Sequence, residues 1–125
     1  MSRWKFGEFE TEVDFTDADF IDRLGAAQEQ LDRDSKQVPL VGKTSDIIRE
    51  QVGCFARFFD AVFGVGTSEL MYGGKTSLEL AIRSCDEFAR FGDSEETRMD
   101  SAYAKYKVNK PVNRQQRRYQ DRKRR

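Results

Sequence analysis

Apolar and polar residues alternate with period two at the start of the chain. Phe9 to Phe15 alternates apolar with acidic residues, and Arg3-Trp4-Lys5-Phe6 precedes it across Gly7-Glu8, a two-residue loop suited to a type II′ hairpin. That register pairs Phe6 with Phe9 and Trp4 with Thr11 on one face and turns Glu10, Glu12 and Asp14 to the other. A lone hairpin is marginal in water, so this one is expected to lie on helices or on a partner.

From Thr16 the period becomes helical. Thr16 is the expected N-cap, with Asp19 at the third helical position and Phe15 and Phe20 as a hydrophobic staple. Phe20, Leu24, Ala27 and Leu31 follow on one narrow face, and Pro39 marks the loop that ends the segment. A second helix is predicted from Thr44 or Ser45 to Phe63. Its Ile47, Ile48, Val52, Phe55, Phe58, Phe59, Val62 and Phe63 fill an arc of about 160°, with Arg49, Glu50, Arg57 and Asp60 opposite.

Gly64 then ends the core helix, Thr67 caps a short turn over Ser68 to Tyr72 with Leu70 and Met71 docking it, and Gly73-Gly74 reverse the chain. Thr76, with Glu79, opens a last helix to about residue 107, continuous across Gly92. Its expected apolar face is Leu78, Ala81, Ile82, Cys85, Phe88 and Ala89, continued in phase by Met99, Tyr103 and Tyr106. Glu96 and Asp100 share that face, whereas Leu80 and Phe91 fall off it. The pattern predicts a mainly α protein: three main helices with an N-terminal β-hairpin over residues 1–108 and a flexible basic tail over 109–125.

Composition agrees with one compact domain. The 125 residues are 38% hydrophobic and 35% charged, with ten Phe, four Tyr and one Trp to build a core. No apolar run suits a membrane span and no basic segment precedes one, so the expectation is an intracellular, cytoplasmic protein with no membrane role. Cys54 and Cys85 lie on predicted apolar faces without metal spacing and read as reduced core residues, with a disulfide as the alternative. There is no histidine, which removes the usual general base and the Ser-His and Cys-His pairs. The net charge of zero conceals a division: residues 105–125 carry ten Lys or Arg and one Asp, so the tail is at +9 and the remainder at −9.

The glycines near Lys75 suggest nucleotide chemistry only in part. A phosphate-binding loop needs Gly-x-x-x-x-Gly-Lys-Ser/Thr, but Glu69 stands at the first glycine position for Gly74-Lys75-Thr76, and Gln37 for Gly42-Lys43-Thr44. Glu69 also replaces the last glycine of a dinucleotide fingerprint starting at Gly64. The segment therefore reads as a joint between helices. Asp17, Asp19 and Asp22 read as a solvated first turn complementing the helix dipole rather than as a metal cluster. No catalytic residue, metal set or cofactor is implied.

The tail has two functional readings. Arg114, Arg117, Arg118, Arg122, Lys123, Arg124 and Arg125 could neutralise nucleic-acid phosphates, with Tyr119 stacking on a base. Alternatively the acidic body holds the tail itself or the tail meets an acidic protein partner, with a homo-oligomer also open; the remaining reading is a merely solubilising tail.

Three pieces of the sequence resemble a family of small phage and prophage proteins of Gram-positive hosts that are encoded among tail genes and are tail-assembly-chaperone-like. They are the acidic strand leading into Asp14-Phe15-Thr16-Asp17-Ala18-Asp19, the run from Phe58 to Glu69 closed by Gly73-Gly74-Lys75, and a long helix ending in Tyr103 to Arg125. The resemblance implies a helical body, no catalysis, and a role in virion morphogenesis in the bacterial host cytoplasm: coating a tape-measure protein and recruiting tail tube subunits. On that expectation Leu80 and Phe91, with Met99, Tyr103 and Tyr106, offer an apolar stripe to a partner helix. The alternative for Leu80 and Phe91 is packing under the hairpin.

Overall fold

A computed structural model of the chain describes residues 2–111. The protein is mainly helical, with an N-terminal antiparallel hairpin. Its elements are β1 (Ser2–Phe6), β2 (Phe9–Val13), α1 (Ala18–Lys36), α2 (Thr44–Phe63), α3 (Thr67–Tyr72) and α4 (Leu78–Lys105). The chain divides into two compact units, residues 1–93 and 94–125, with the division inside α4.

In the first unit the hairpin has the expected register, with Phe6 opposite Phe9 and Trp4 opposite Thr11. Gly7 takes a φ of +59° and Glu8 is not at positive φ, as a type II′ turn requires. Gly7 is needed a second time, because a Cβ there would stand 2.3 Å from the Met71 carbonyl oxygen. The turn thus lies directly on the α3 backbone, and the Glu8 N–H donates to the Leu70 carbonyl at 3.1 Å. On the outward face Arg3 pairs with Glu10 at 2.9 Å and reaches Glu12 at 3.6 Å.

The buried side of the hairpin closes an aromatic core. The Trp4 ring stacks on Phe59 at 5.8 Å and on Phe63 at 6.0 Å, and meets Phe88 edge-on at 5.0 Å. Phe59, Val62 and Val13 are the most completely enclosed of the large apolar side chains. Aromatic pairs in such geometries contribute about 0.5–1.5 kcal/mol beyond the area they bury. Helix α2 is the spine of this core, as its unbroken apolar arc requires. Helix α1 packs against it through Phe20, Leu24, Ala27 and Leu31, and the Arg23 Nε donates to the Val62 carbonyl at 2.8 Å. That bond satisfies one of the carbonyls a helix C-terminus leaves without an internal partner.

The starts of α1 and α4 differ from expectation by one or two residues. Helix α1 begins at Ala18 with Asp17 at the cap position and no side-chain cap bond. Thr16 is instead held by Asp14, whose Oδ1 accepts its backbone N–H at 2.9 Å and also its hydroxyl. An Asx turn from the end of β2 has outcompeted the capping box. Phe15 and Phe20 nevertheless meet edge-on at 5.5 Å, as the staple predicts. At α4 the cap is Ser77, whose Oγ accepts the Leu80 N–H at 3.3 Å, rather than Thr76.

Helix α4 also presents a different face to the core. Ala81, Ser84 and Phe88 are buried and Leu80, Cys85 and Phe91 pack beside them, whereas Ile82 is 54% exposed and Ala89 lies outside. The cause is Ser84. Its hydroxyl donates to the Ala81 carbonyl at 2.6 Å and accepts from the Tyr72 hydroxyl at 2.8 Å, so a residue that hydropathy scores as polar sits at the centre of the buried stripe. With its proton committed to Ala81, Ser84 leaves Tyr72 as the donor of the second bond.

The second unit comprises the rest of α4 and its exit. The helix ends in a Schellman motif: Val108 N–H donates to Tyr103 O at 2.9 Å and Lys107 N–H to Ala104 O at 3.4 Å. Lys107 occupies the left-handed position at φ 55° that glycine usually fills.

Candidate interaction surface

The corner between α2 and α4 is where the sequence came nearest to a ligand site. Gly64 and Gly66 have φ of 118° and 96°, and Gly73 and Gly74 have 61° and 77°. All four serve the chain path. Gly66 is the cap residue of α3, while the Thr67 hydroxyl donates back to the Gly64 carbonyl at 2.7 Å instead of capping the short helix. The capping acceptor is Asp60 from the last turn of α2. Its carboxylate takes the Ser68 N–H at 2.8 Å and the Ser68 hydroxyl at 3.1 Å, adding negative charge where the helix dipole is positive. Met71 is buried as expected, but Leu70 is 51% exposed, because the Gly7 turn touches only its backbone.

A groove of about 540 Å³ runs beside this corner, floored by Val52, Ala56 and Tyr72 and rimmed by Arg49, Asp60, Glu69 and Lys75. The carboxylates among those cations leave no concentrated positive field for a phosphate. A second groove of about 380 Å³ lies between α1 and α2 around Asp34, Arg49, Cys54 and Arg57. There Arg57 is committed to Asp34 at 3.1 Å, and the Gln30 and Arg57 hydrogen bonds hold the Asp34 carboxyl below the ordinary range.

Cys54 and Cys85 are both free thiols, and burial pushes Cys85 up to about 11, so it stays protonated at neutral pH and weakly reactive. Burial likewise pushes the Tyr72 hydroxyl up to about 12. Among the described residues no three His, Cys, Asp or Glu side chains converge as a metal set. No described helix is long and apolar enough to cross a membrane.

The expected apolar stripe on α4 is not what the first unit offers. Leu80 and Phe91 are half-buried against the core, and the Phe91 ring stands 5.8 Å from that of Phe15. The reason is the rotation of α4 about Ser84. In the second unit Met99 and Tyr103 are half-buried and Tyr106 is 68% exposed. Arg114, Arg117, Arg118, Arg122, Lys123, Arg124 and Arg125 lie outside the described residues.

The most exposed apolar side chains are elsewhere. Leu40 and Val41, adjacent in the loop between α1 and α2, are 97% and 89% exposed, and Val65 between Gly64 and Gly66 is fully exposed. Sequence periodicity passes over such residues because they belong to no helix or strand face. Their only signal is the presence of large apolar residues beside Pro39 and Gly42, where turn chemistry calls for polar ones.

The second unit has its own electrostatic feature. Beyond the Schellman turn, the Lys110 ammonium lies 2.7 Å from a Glu96 carboxylate oxygen and 3.2 Å from one of Asp100. Both carboxylates raise the Lys110 pKa. One turn away Arg98 pairs with the nearly buried Glu95 at 3.0 Å.

A model of DUF6673, a family of unknown function, matches residues 7–121. The chain therefore belongs to that family. No curated protein and no solved structure matches it.

Proposed function

We propose that this DUF6673 protein acts without catalysis, as an assembly chaperone of the phage-tail kind that shields an apolar stretch of a helical, tape-measure-type partner and helps recruit tail tube subunits. The observation that supports this reading is the exposed Leu40-Val41 pair. Two large apolar side chains stand outward on a short loop while 35% of the sequence is charged, so the charged body keeps in solution whatever the loop covers.

The magnitude fits a reversible shield. Burying a leucine and a valine contributes about 3–6 kcal/mol gross, and association costs offset an amount of the same order. A contact of that size releases its partner when a stronger one, such as a growing tail tube, competes.

Co-expression with the tape-measure-type protein of the same gene cluster tests the proposal. The soluble yield of that partner is expected to rise, and the gain is expected to vanish for L40S/V41S, a surface change that leaves stability within about 0.5 kcal/mol of the parent. Neither co-purification nor a gain in soluble yield, or a gain that L40S/V41S preserves, overturns it.

A further inference from the structure

The rotation of α4 about Ser84 leaves part of its apolar arc outside the core. Leu78, Ile82, Cys85 and Ala89 stand at i, i+4, i+7 and i+11, which at about 100° per residue makes a line about 60° wide along one side of the helix. Leu78 and Cys85 keep one flank on the core, while Ile82 is 54% exposed and Ala89 is exposed too. Glu79, Asp86 and Asp93 recur along the outer border of that line, roughly 70° round the helix from its centre, and all three are exposed. The buried Ala81, Ser84 and Phe88 form its other border. Single apolar residues are ordinary on a surface. Four on one line beside a row of carboxylates are a pattern by which one helix takes another.

We propose that this face of α4 is a docking surface for an amphipathic helix whose apolar stripe is flanked by lysines or arginines. The line is straight and about 16 Å long, so a helix laid along it covers all four side chains at once. An extended strand, with its period of two, does not match that spacing. The carboxylate row selects the sign of the flank, and the body reinforces it. Residues 1–104 carry twelve Lys or Arg against twenty-one Asp or Glu, a balance that draws cationic partners in. Arg90 pairs with Asp86 at 3.1 Å, an exposed contact that a competing cation displaces at small cost. The chain's own basic segment is not the occupant, because residues 112–125 offer only Val112 and Tyr119 to a line of four. The argument stands apart from the chaperone reading, which rests on Leu40 and Val41.

The test titrates the full-length protein against a fluorescein-labelled peptide of about 18 residues, built from leucine and lysine with the leucines at helical spacing, and reads anisotropy. An isomer that alternates leucine and lysine, and a version with glutamate for lysine, are titrated beside it. The helical lysine peptide is expected to bind at least about tenfold more tightly than either. I82Q/A89Q is expected to weaken it by about five- to tenfold through loss of the apolar contact. E79K/D86K is expected to weaken it about as much and to tighten the glutamate peptide by about three- to tenfold, a gain that also shows the variant folds. L40S/V41S and D22N/E29Q change exposed positions on the α1–α2 loop and on α1, and each is expected to shift binding by less than about twofold. Absence of binding, or binding that I82Q/A89Q leaves unchanged, overturns the docking surface. So does an equal loss in L40S/V41S, which places the contact on the loop. Equal binding of the alternating isomer overturns the helical partner, and equal binding of the glutamate peptide overturns its charge.

Discussion

Gly7 and Gly73 form a matched pair that separates two reasons for needing glycine. Their φ values are +59° and +61°, but a Cβ at Gly7 would stand 2.3 Å from the Met71 carbonyl oxygen and 3.0 Å from that of Leu70, whereas at Gly73 it meets nothing within 4 Å. Gly73→Ala therefore incurs only the left-handed penalty of an L-residue, about 1–2 kcal/mol. Gly7→Ala incurs the same and must also force the hairpin turn off the α3 backbone. A carbonyl cannot rotate out of the way as a side chain would, so an overpacking cost of at least about 1–3 kcal/mol is added. Breaking the Glu8 N–H to Leu70 bond adds to it. The total for Gly7→Ala is about 2–5 kcal/mol. Urea unfolding followed by the fluorescence of Trp4, the only tryptophan, reads this directly because Trp4 sits where hairpin and helices meet. For a unit of this size the two variants should differ in Tm by at least about 5 °C. Equal losses would refute the idea that the hairpin is seated by close backbone approach.

Three further outcomes follow from the core and its caps. Asp60→Ala should cost about 0.5–2 kcal/mol through loss of the α3 cap, with Asp60→Ser recovering part of it, measured by the same unfolding curves. Phe59→Ala should cost about 3–5 kcal/mol, since the ring is 0% exposed and its removal leaves a cavity beneath Trp4; a loss under about 1 kcal/mol would show that the stack does not hold the core. Burial raises Tyr72 from 10.0 to about 12 and Cys85 from 9.0 to about 11. The fold thus favours the neutral forms, and stability should be intact below pH 9 and fall as pH rises from about 9 to 12. Tyr72→Phe should flatten the upper part of that fall, and an unchanged alkaline profile would count against burial as the cause.

Elements whose pattern is complete within a few residues were legible in the sequence. The hairpin register followed from a two-residue loop and strict alternation, and α2 followed from an apolar arc with four phenylalanines. Caps slipped where equivalent candidates were neighbours: Thr16 beside Asp14 and Asp17, Thr76 beside Ser77. The face of α4 was mis-centred because Ser84 belongs to the core only by virtue of Tyr72, which lies twelve residues earlier. Asp60 as the cap of α3 and the contact of Lys110 with Glu96 and Asp100 were out of reach for the same reason, since each acts on a residue brought to it by a turn. For the interaction surface, Leu80 and Phe91 lie half-buried against the core. Leu40 and Val41 escaped notice because no periodicity marks a residue that faces only solvent.

The stack around Trp4 has a consequence for synthesis. Its rings come from the first strand, from α2 and from α4, so Trp4, once it has left the ribosome, waits for Phe88, roughly 80 residues later. At 5–20 residues per second that interval is about 4–16 s, during which the phenylalanines of α2 emerge without their cover. A nascent chain interrupted before Phe88 therefore presents an open aromatic surface to its neighbours on the polysome, and aggregation of such fragments, rather than of finished chains, is where this protein would first burden the cell that makes it.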